Sequence, residues 1–179
     1  MTAGSVRNIM KFMMAWVWEN KVRSSSIDYE GEVRMMNDNN LFFVCSLIEF
    51  IGREQKIPRA DVVKCLGINA LNRIYEYAEV LHCEPIAAVA AQYIELCEIP
   101  AGTFDNVSSC RYTVPDYWTI GEVYERLIED IMENDPIVAL QDVYASWIGP
   151  VIDNYNSDFY YQSRDYIAAC YQAGEVLEA

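Results

Sequence analysis

The fold is decided by the stretch Asn39-Asn40-Leu41-Phe42-Phe43-Val44-Cys45-Ser46-Leu47-Ile48-Glu49-Phe50-Ile51-Gly52-Arg53-Glu54-Gln55. Its apolar residues recur at spacings of three and four, as on one face of an α-helix: Leu41, Val44, Cys45, Ile48 and Ile51. Phe42 and Leu47 widen this face. We therefore expect a helix from Asn39 to Gln55 that is buried deep in an all-α protein.

Helix-start and helix-stop residues divide the chain that follows. Pro58 suits the first turn of a short second helix that Gly67 ends, and Asn69 can cap a third. A turn at Glu84-Pro85 precedes a fourth helix with Ile86, Val89, Ala90, Tyr93, Ile94 and Cys97 on one stripe. The segment from Ile99 to Pro115 lacks helical periodicity and reads as a linker or crossover.

The second half repeats the helical pattern. Thr119 and Glu122 have the spacing of a capping box, and Asp135-Pro136 caps and starts the next helix. The apolar stripe of that helix continues past Gly149-Pro150, so we expect Pro150 to kink it. Ser163 can cap a last helix that ends near Gly174.

These patterns predict a compact helical bundle of about six to seven helices, either as one body or as two packed subdomains. The predicted divisions are a four-helix subdomain (35–100), a linker or crossover (101–118) and an acidic, aromatic-rich helical subdomain (119–179). Residues 1–34 form an N-terminal extension with two interpretations. Either the working protein begins at Met35 or Met36, behind a stretch whose codons permit a ribosome-binding site, or a helix from about Val6 to Asn20 packs on the domain.

The net charge of the chain argues against some classes of partner. The formal net charge is −14, and residues 101–179 carry 3 basic and 14 acidic side chains. Such a chain is repelled by nucleic-acid phosphates and by anionic lipid surfaces, so neither is expected as a direct partner. No apolar run reaches the roughly 18 residues of a membrane span. Six cysteines without a C-x-x-C pair or an export signal indicate free thiols in a cytoplasmic protein.

No residue pattern predicts a cofactor or metal site, or a catalytic group. His82 is the only histidine, and its expected place at a helix C-terminus favours a structural role. No helical Glu-x-x-His spacing accompanies the carboxylates. Glu122 and Arg126 have the spacing of a surface ion pair.

Exposed aromatic and acidic residues are the candidate partner-binding surface. Four rings in the turn-like segment 155–161 are too many for easy burial, and rings at protein surfaces commonly anchor interfaces. The alternative is that these rings fill a second small core with Trp147. The candidate partner-binding residues are Tyr117, Trp118, Glu122, Glu125, Glu129, Tyr155, Phe159, Tyr160 and Tyr161.

Several of these stretches also resemble a short uncharacterised bacterial family, a domain of unknown function. The resemblance covers residues 40–172 and rests on Phe42-Phe43-Val44, Ile48-Glu49, Leu81-His82, Val114-Pro115-Asp116-Tyr117-Trp118, Ile120-Gly121-Glu122-Val123-Tyr124, Tyr155-Asn156-Ser157 and Phe159-Tyr160-Tyr161. Proteins of this kind are similar to those encoded beside an ADP-ribosyltransferase-like toxin, which implies an antitoxin or accessory role. The resemblance supplies no catalytic residues.

We therefore expect a non-catalytic protein-binding module that neutralises a toxin enzyme by occluding its site, the toxin being encoded by an adjacent gene. One alternative is an acidic decoy for a nucleic-acid-binding protein. Another is a helical enzyme that uses an Asp or Glu pair. A homodimer through the aromatic surface is a further alternative.

Overall fold

The first helix begins where the sequence predicts, because Asp38 caps it. The Asp38 carboxylate accepts hydrogen bonds from the backbone N–H groups of Asn40 and Leu41, at 3.0 and 3.1 Å. Lys56, in the left-handed conformation, ends this helix. These observations come from a computed structural model, which describes residues 38–178.

Eight α-helices and one short 3₁₀ helix make up the described residues, and no strand occurs among them, so the all-α class is confirmed. The helices are α1 Asn39–Gln55, α2 Arg59–Glu76, α3 Ala78–Leu81, α4 Ile86–Leu96, α5 Tyr117–Ile131, α6 Pro136–Ala145, α7 Ile148–Ile152 and α8 Arg164–Ala173, with the 3₁₀ helix at Phe159–Tyr161 between α7 and α8.

Helix α1 is the centre of the bundle. It packs most extensively on α5 and also contacts α2, α3 and α4, while α6 packs on both α2 and α5, and α8 packs on α5. Ten of the residues of α1 are buried, and its prediction as a buried helix is confirmed. One hydrophobic core runs from Leu41 to Cys170 and includes residues of both predicted subdomains.

Helix α2 is interrupted where Gly67 stands. Gly67 has φ +64° and ψ 168°, a backbone conformation that is essentially restricted to glycine. The predicted end of a short helix at Gly67 thus coincides with a real break. The predicted third helix is broken again at Tyr77, which separates α2 from α3.

Two predicted features of the second half are wrong in detail. Helix α5 begins at Tyr117, because Asp116, and not Thr119, is the N-cap and accepts the Thr119 N–H at 2.6 Å. The helix before Pro150 does not kink at that residue; it ends at Ala145, where Ser146 has ψ 174°. Pro150 then falls in the first turn of α7, where a missing N–H costs no helical hydrogen bond.

Two predicted caps are confirmed: Asp135 caps α6 with Pro136 in its first turn, and Ser163 caps α8, whose C-cap is Gly174 with φ 78°. The predicted cap at Asn69 is wrong, because Asn69 lies inside α2, and Pro58 precedes the first turn of that helix. The two interpretations of residues 1–34 lie outside the described residues. Within the described part of the chain, no helix is both long enough and apolar enough to cross a bilayer.

Candidate protein-binding groove

A fully buried ion pair lies at the centre of the bundle. Glu49 of α1 and Arg59 at the start of α2 are both 0% exposed. The Arg59 guanidinium donates two parallel hydrogen bonds to the Glu49 carboxylate, at 2.7 and 2.8 Å. Gly52 makes room for it, since a Cβ there would lie 2.6 Å from Arg59 Cδ. This bidentate geometry fixes the first turn of α2 against α1.

Two further groups complete the network. Arg53, one turn after Glu49, donates to the same carboxylate at 2.5 Å and to the Pro115 carbonyl at 3.0 Å. The Tyr155 hydroxyl donates to Glu49, and both arginines donate to that hydroxyl, at 3.1 and 3.2 Å. The network therefore joins α1, α2, the segment before α5 and the turn after α7.

The long irregular segment is attached to the same centre. Asn106 accepts from Arg59 at 3.1 Å and donates to the Asp153 carbonyl at 2.9 Å. The Asp153 carboxylate, just after α7, accepts from the Tyr124 hydroxyl of α5 at 2.9 Å. Asp153 therefore links α5 and the irregular segment to the centre of the bundle.

Burial and pairing set opposite pKa values for these carboxyl groups. Burial by itself would raise the pKa of Glu49, but the hydrogen bonds and charge of Arg59 outweigh it and lower that pKa. Burial raises the pKa of Asp153 to about 7, since the nearby Glu49 charge offsets part of the attraction of Arg59. Glu49 is thus the ionised partner of Arg59.

Tyr155 connects this network to the surface. Its ring is 1% exposed, with the Arg53 guanidinium 5.2 Å from the ring centroid. Tyr160 packs edge-on against it at 6.0 Å, and Tyr161 packs on Tyr160 at 4.4 Å. Tyr161 itself is 69% exposed. Three tyrosine rings therefore lead from a rigid core to solvent.

An open groove of about 920 Å³ lies beside these rings. Its lining contains four tyrosines and several hydroxyl and amide groups, with no aliphatic side chain: Arg111, Tyr112, Thr113, Tyr155, Asn156, Ser157, Asp158, Tyr160 and Tyr161. We call this set the tyrosine groove. Asn156 holds its two walls together, because it accepts from the Arg111 N–H at 2.8 Å and donates to the Ser109 carbonyl at 3.1 Å.

A smaller groove of about 200 Å³ lies on the other side of Tyr161, against α5 and α8. It shares Tyr160 and Tyr161 with the tyrosine groove, and the Glu122–Arg126 ion pair lies along it. Both members of this pair are about 40% exposed, at 41% and 42%. Tyr161 therefore forms a ridge between two depressions, which is a suitable shape for an anchor residue of an interface.

The structure corrects several expected exposures. Tyr155, Phe159 and Tyr160 are buried, at 1%, 4% and 5% exposed, because they belong to the one hydrophobic core, against which Trp147 also packs. Glu125 is also buried, at 1%, because it faces inward from α5. The expected exposure of these four residues is therefore wrong, although Tyr155 and Tyr160 do line the tyrosine groove.

The other candidates fall into two places. Tyr161 and Glu122 reach the surface beside the grooves. Tyr117 and Trp118 are half-buried against α1, where Trp118 stacks on Phe42 at 5.5 Å and Tyr117 meets Phe50 at 5.2 Å. They line neither groove. The Glu129 side chain is 10% exposed and is bound to Arg164 at 3.0 Å.

Sequence reasoning missed one wall of the tyrosine groove. Tyr112 is 70% exposed and stands in the segment that was expected to be a linker. The available signal in the sequence was an aromatic residue in a segment rich in Pro, Ser and Asn, a composition typical of a surface loop. No sequence pattern marked Arg111, because it is a single arginine in the acidic half of the chain.

The single histidine and the six cysteines are the remaining residues whose side chains could take part in chemistry. His82 follows the last residue of α3, as expected, and its ring lies 6.3 Å from that of Phe43. All six cysteines are free, with Cys45 and Cys170 buried and Cys83 exposed. Among residues 38–178, no group of three or more His, Cys, Asp or Glu side chains is arranged to hold a metal ion.

Comparisons of this chain with protein-family models, with curated proteins and with solved structures find no match.

Proposed function

We propose that this protein is a non-catalytic binding module that holds a basic partner protein on the surface around Tyr161. The observation that carries the proposal is the 69% exposed Tyr161 ring, set between two grooves and supported from below by Tyr160 and Tyr155. An exposed aromatic ring on a rigid support loses little conformational entropy on binding, and tyrosine is enriched among residues that dominate binding energy.

Charge favours a basic partner. Of the three basic residues in 101–179, Arg126 is paired with Glu122, and Arg164 is paired with Glu129 and Asp130. The excess of carboxylates in this half therefore dominates its electrostatic field, which accelerates encounter with a positively charged surface.

The partner class comes from the resemblance described above. We propose a cytoplasmic antitoxin or accessory protein whose partner is a toxin enzyme encoded by an adjacent gene, with inhibition by steric occlusion. Nothing in this role requires a reaction on the partner. The buried carboxylates suit it too, since Glu49 is enclosed by Arg53, Arg59 and Tyr155 and is closed to any substrate.

Co-expression of the full chain with the adjacent gene product tests the proposal. We expect the two proteins to co-purify and growth arrest by the neighbour to be relieved. The substitution Tyr161→Ala should weaken binding at least tenfold with an unchanged melting temperature. Leu96→Ala is the matched control, because Leu96 is 68% exposed but lies on α4, away from both grooves.

Two results would contradict the proposal. One is the absence of both a complex and rescue. The other is an equal effect of Tyr161→Ala and Leu96→Ala on binding. Displacement of the partner by duplex DNA would instead favour the acidic decoy, because phosphate and carboxylate would then compete for one basic surface.

A further inference from the structure

Glu125 is a buried carboxyl group without a donor to stabilise its charge. It lies in the middle of α5 and is 1% exposed. Neither of its oxygens accepts a hydrogen bond from a donor in the described residues. A carboxylate that is buried without donors is strongly unfavourable, so the group is expected to carry a proton.

Glu129, one helical turn later, can receive that proton's hydrogen bond. Its Oε1 accepts from the Asp38 backbone N–H at 2.7 Å, and its Oε2 accepts from Arg164 at 3.0 Å. Both oxygens of Glu129 thus already accept a hydrogen bond from an N–H donor. Each carboxylate oxygen has a second acceptor site, so a protonated Glu125 can donate to the same group.

The charged and titratable neighbours of Glu125 come from three helices. Helix α5 contributes Glu129 and Arg126, α8 contributes Arg164, and α1 contributes the Cys45 thiol. Arg164 is shared, because it also binds Asp130 at 2.6 and 2.8 Å. No positive charge is therefore devoted to Glu125. Asp38, just before α1, donates its backbone N–H to Glu129, and its carboxylate accepts from the Tyr75 hydroxyl of α2 at 2.5 Å.

We propose that Glu125 and Glu129 share one proton, and that this proton holds α5 to the start of α1 and to the start of α8 in a pH-dependent way. This shared proton requires no partner protein. Loss of the proton would leave two negative charges one helical turn apart, one of them buried, and would be relieved by opening the contacts made through Asp38 and Arg164.

The direction of the pH dependence follows from the pKa of Glu125. Burial first, and then the charge of Glu129 and the hydrogen bond to it, raise this pKa from 4.5 to about 8. A group whose pKa is higher in the folded state contributes its stabilisation fully below the unfolded value of 4.5. That contribution is lost progressively as the pH rises toward 8, with no further change well above 8.

Arg164 connects the Glu125–Glu129 pair to the surface around Tyr161. Arg164 is the first residue of α8 and lines the small groove with Tyr160 and Tyr161. Release of Arg164 from Glu129 would therefore loosen the wall of that groove. The protonation of Glu125 would thus affect the surface where α8 begins.

Urea unfolding of the full chain between pH 5 and pH 9 tests the proposal with Glu125→Gln. Glutamine keeps the shape and can donate an N–H to Glu129 at every pH. We expect the unfolding equilibrium constant of the wild-type protein to rise relative to that of the variant by up to about tenfold per pH unit between 5 and 8. Glu122→Gln, on the exposed face of the same helix, should follow the wild-type profile.

Carbon-13 NMR of glutamate carboxyl groups in the wild-type protein provides a second measurement that needs no stable variant. A resonance assigned to Glu125 by its absence from Glu125→Gln, or by sequential assignment if that variant does not fold, should titrate near pH 8. Titration of this resonance near pH 4.5 would overturn the proposal, as would parallel stability profiles of the wild-type protein and Glu125→Gln.

Discussion

Glu49 illustrates at the residue scale how a buried charge can be tolerated. Its Oε1 accepts hydrogen bonds from Arg53, Arg59 and Tyr155, and its Oε2 accepts one from Arg59, so both desolvated oxygens have donors. Such a network is weak evidence for net stability, since a well-packed apolar core could replace it. What it supplies here is a fixed position for the Tyr155 hydroxyl, and hence for the rings stacked above it.

We predict that Glu49→Gln lowers the free energy of unfolding by about 3–5 kcal/mol, because it leaves the Arg59 charge buried and unpaired. Urea unfolding followed by circular dichroism measures this. In the double variant with Arg59→Met the loss should be smaller than the sum of the two single losses. Glu122→Gln, which breaks an exposed ion pair, should cost less than about 1 kcal/mol. Equal effects of Glu49→Gln and Glu122→Gln would contradict the buried network.

At the scale of elements, the close approach of α1 and α5 organises the bundle. A Cβ added at Gly121 would lie 2.8 Å from the backbone N and Cα of Ser46, so the two helices touch through their main chains. The Ser46 hydroxyl donates to the Phe42 carbonyl at 2.8 Å within its own helix. Gly121 is therefore required for contact between helices, in addition to any role in the first turns of α5.

Gly121→Ala should destabilise the protein by about 1–3 kcal/mol or more, because the inserted methyl group forces α1 and α5 apart. This loss opposes the roughly 1 kcal/mol that alanine gains over glycine inside a helix. Thermal unfolding measures the balance. Adding Ser46→Ala should not restore stability, since the clash involves main-chain atoms; a stabilised Gly121→Ala protein would show that the helices can separate freely.

The elements differ in how well the sequence predicts them. The bounds of helix α1 were predicted correctly, because its apolar residues keep a helical spacing along its length. The break at Ser146 was not, since the apolar stripe runs through it and Pro150 seemed the natural breaker. The buried orientation of Glu125 was equally hidden. Pattern reasoning places charged residues outside, whereas tertiary packing turned this one inward.

The residues of the candidate site also differ in how well the sequence predicts them. The sequence predicted that some ring of the segment 155–161 is exposed, because a short turn cannot easily bury four, and Tyr161 is that ring. Which rings stay inside depends on the network around Glu49, and that network joins residues far apart in sequence, such as Glu49 and Tyr155. Periodicity carries no information on such contacts. The opposite wall of the tyrosine groove, at Tyr112, belongs to an irregular segment that has no periodic pattern of apolar residues.

At the scale of the whole molecule, carboxylates outnumber cations, and most cations of residues 38–178 are paired with carboxylates of the same chain. Residues 38–178 carry 8 basic and 23 acidic side chains. Arg53, Lys56, Arg59, Arg126 and Arg164 are in ion pairs with carboxylates of the same chain. Carboxylates therefore dominate the electrostatic field of residues 38–178.

This field predicts how a basic partner should associate. Exposed charges are screened beyond roughly 10 Å at 0.1 M ionic strength, so the association rate constant should fall severalfold between about 50 and 500 mM salt. The dissociation rate should change less, because it depends on short-range contacts at Tyr161. Surface plasmon resonance separates the two rates. Tyr161→Ala should mainly raise the dissociation rate and leave the salt dependence of association intact. An association rate that does not respond to salt would show that the acidic surface takes no part in encounter, and the aromatic ridge would then have to act alone.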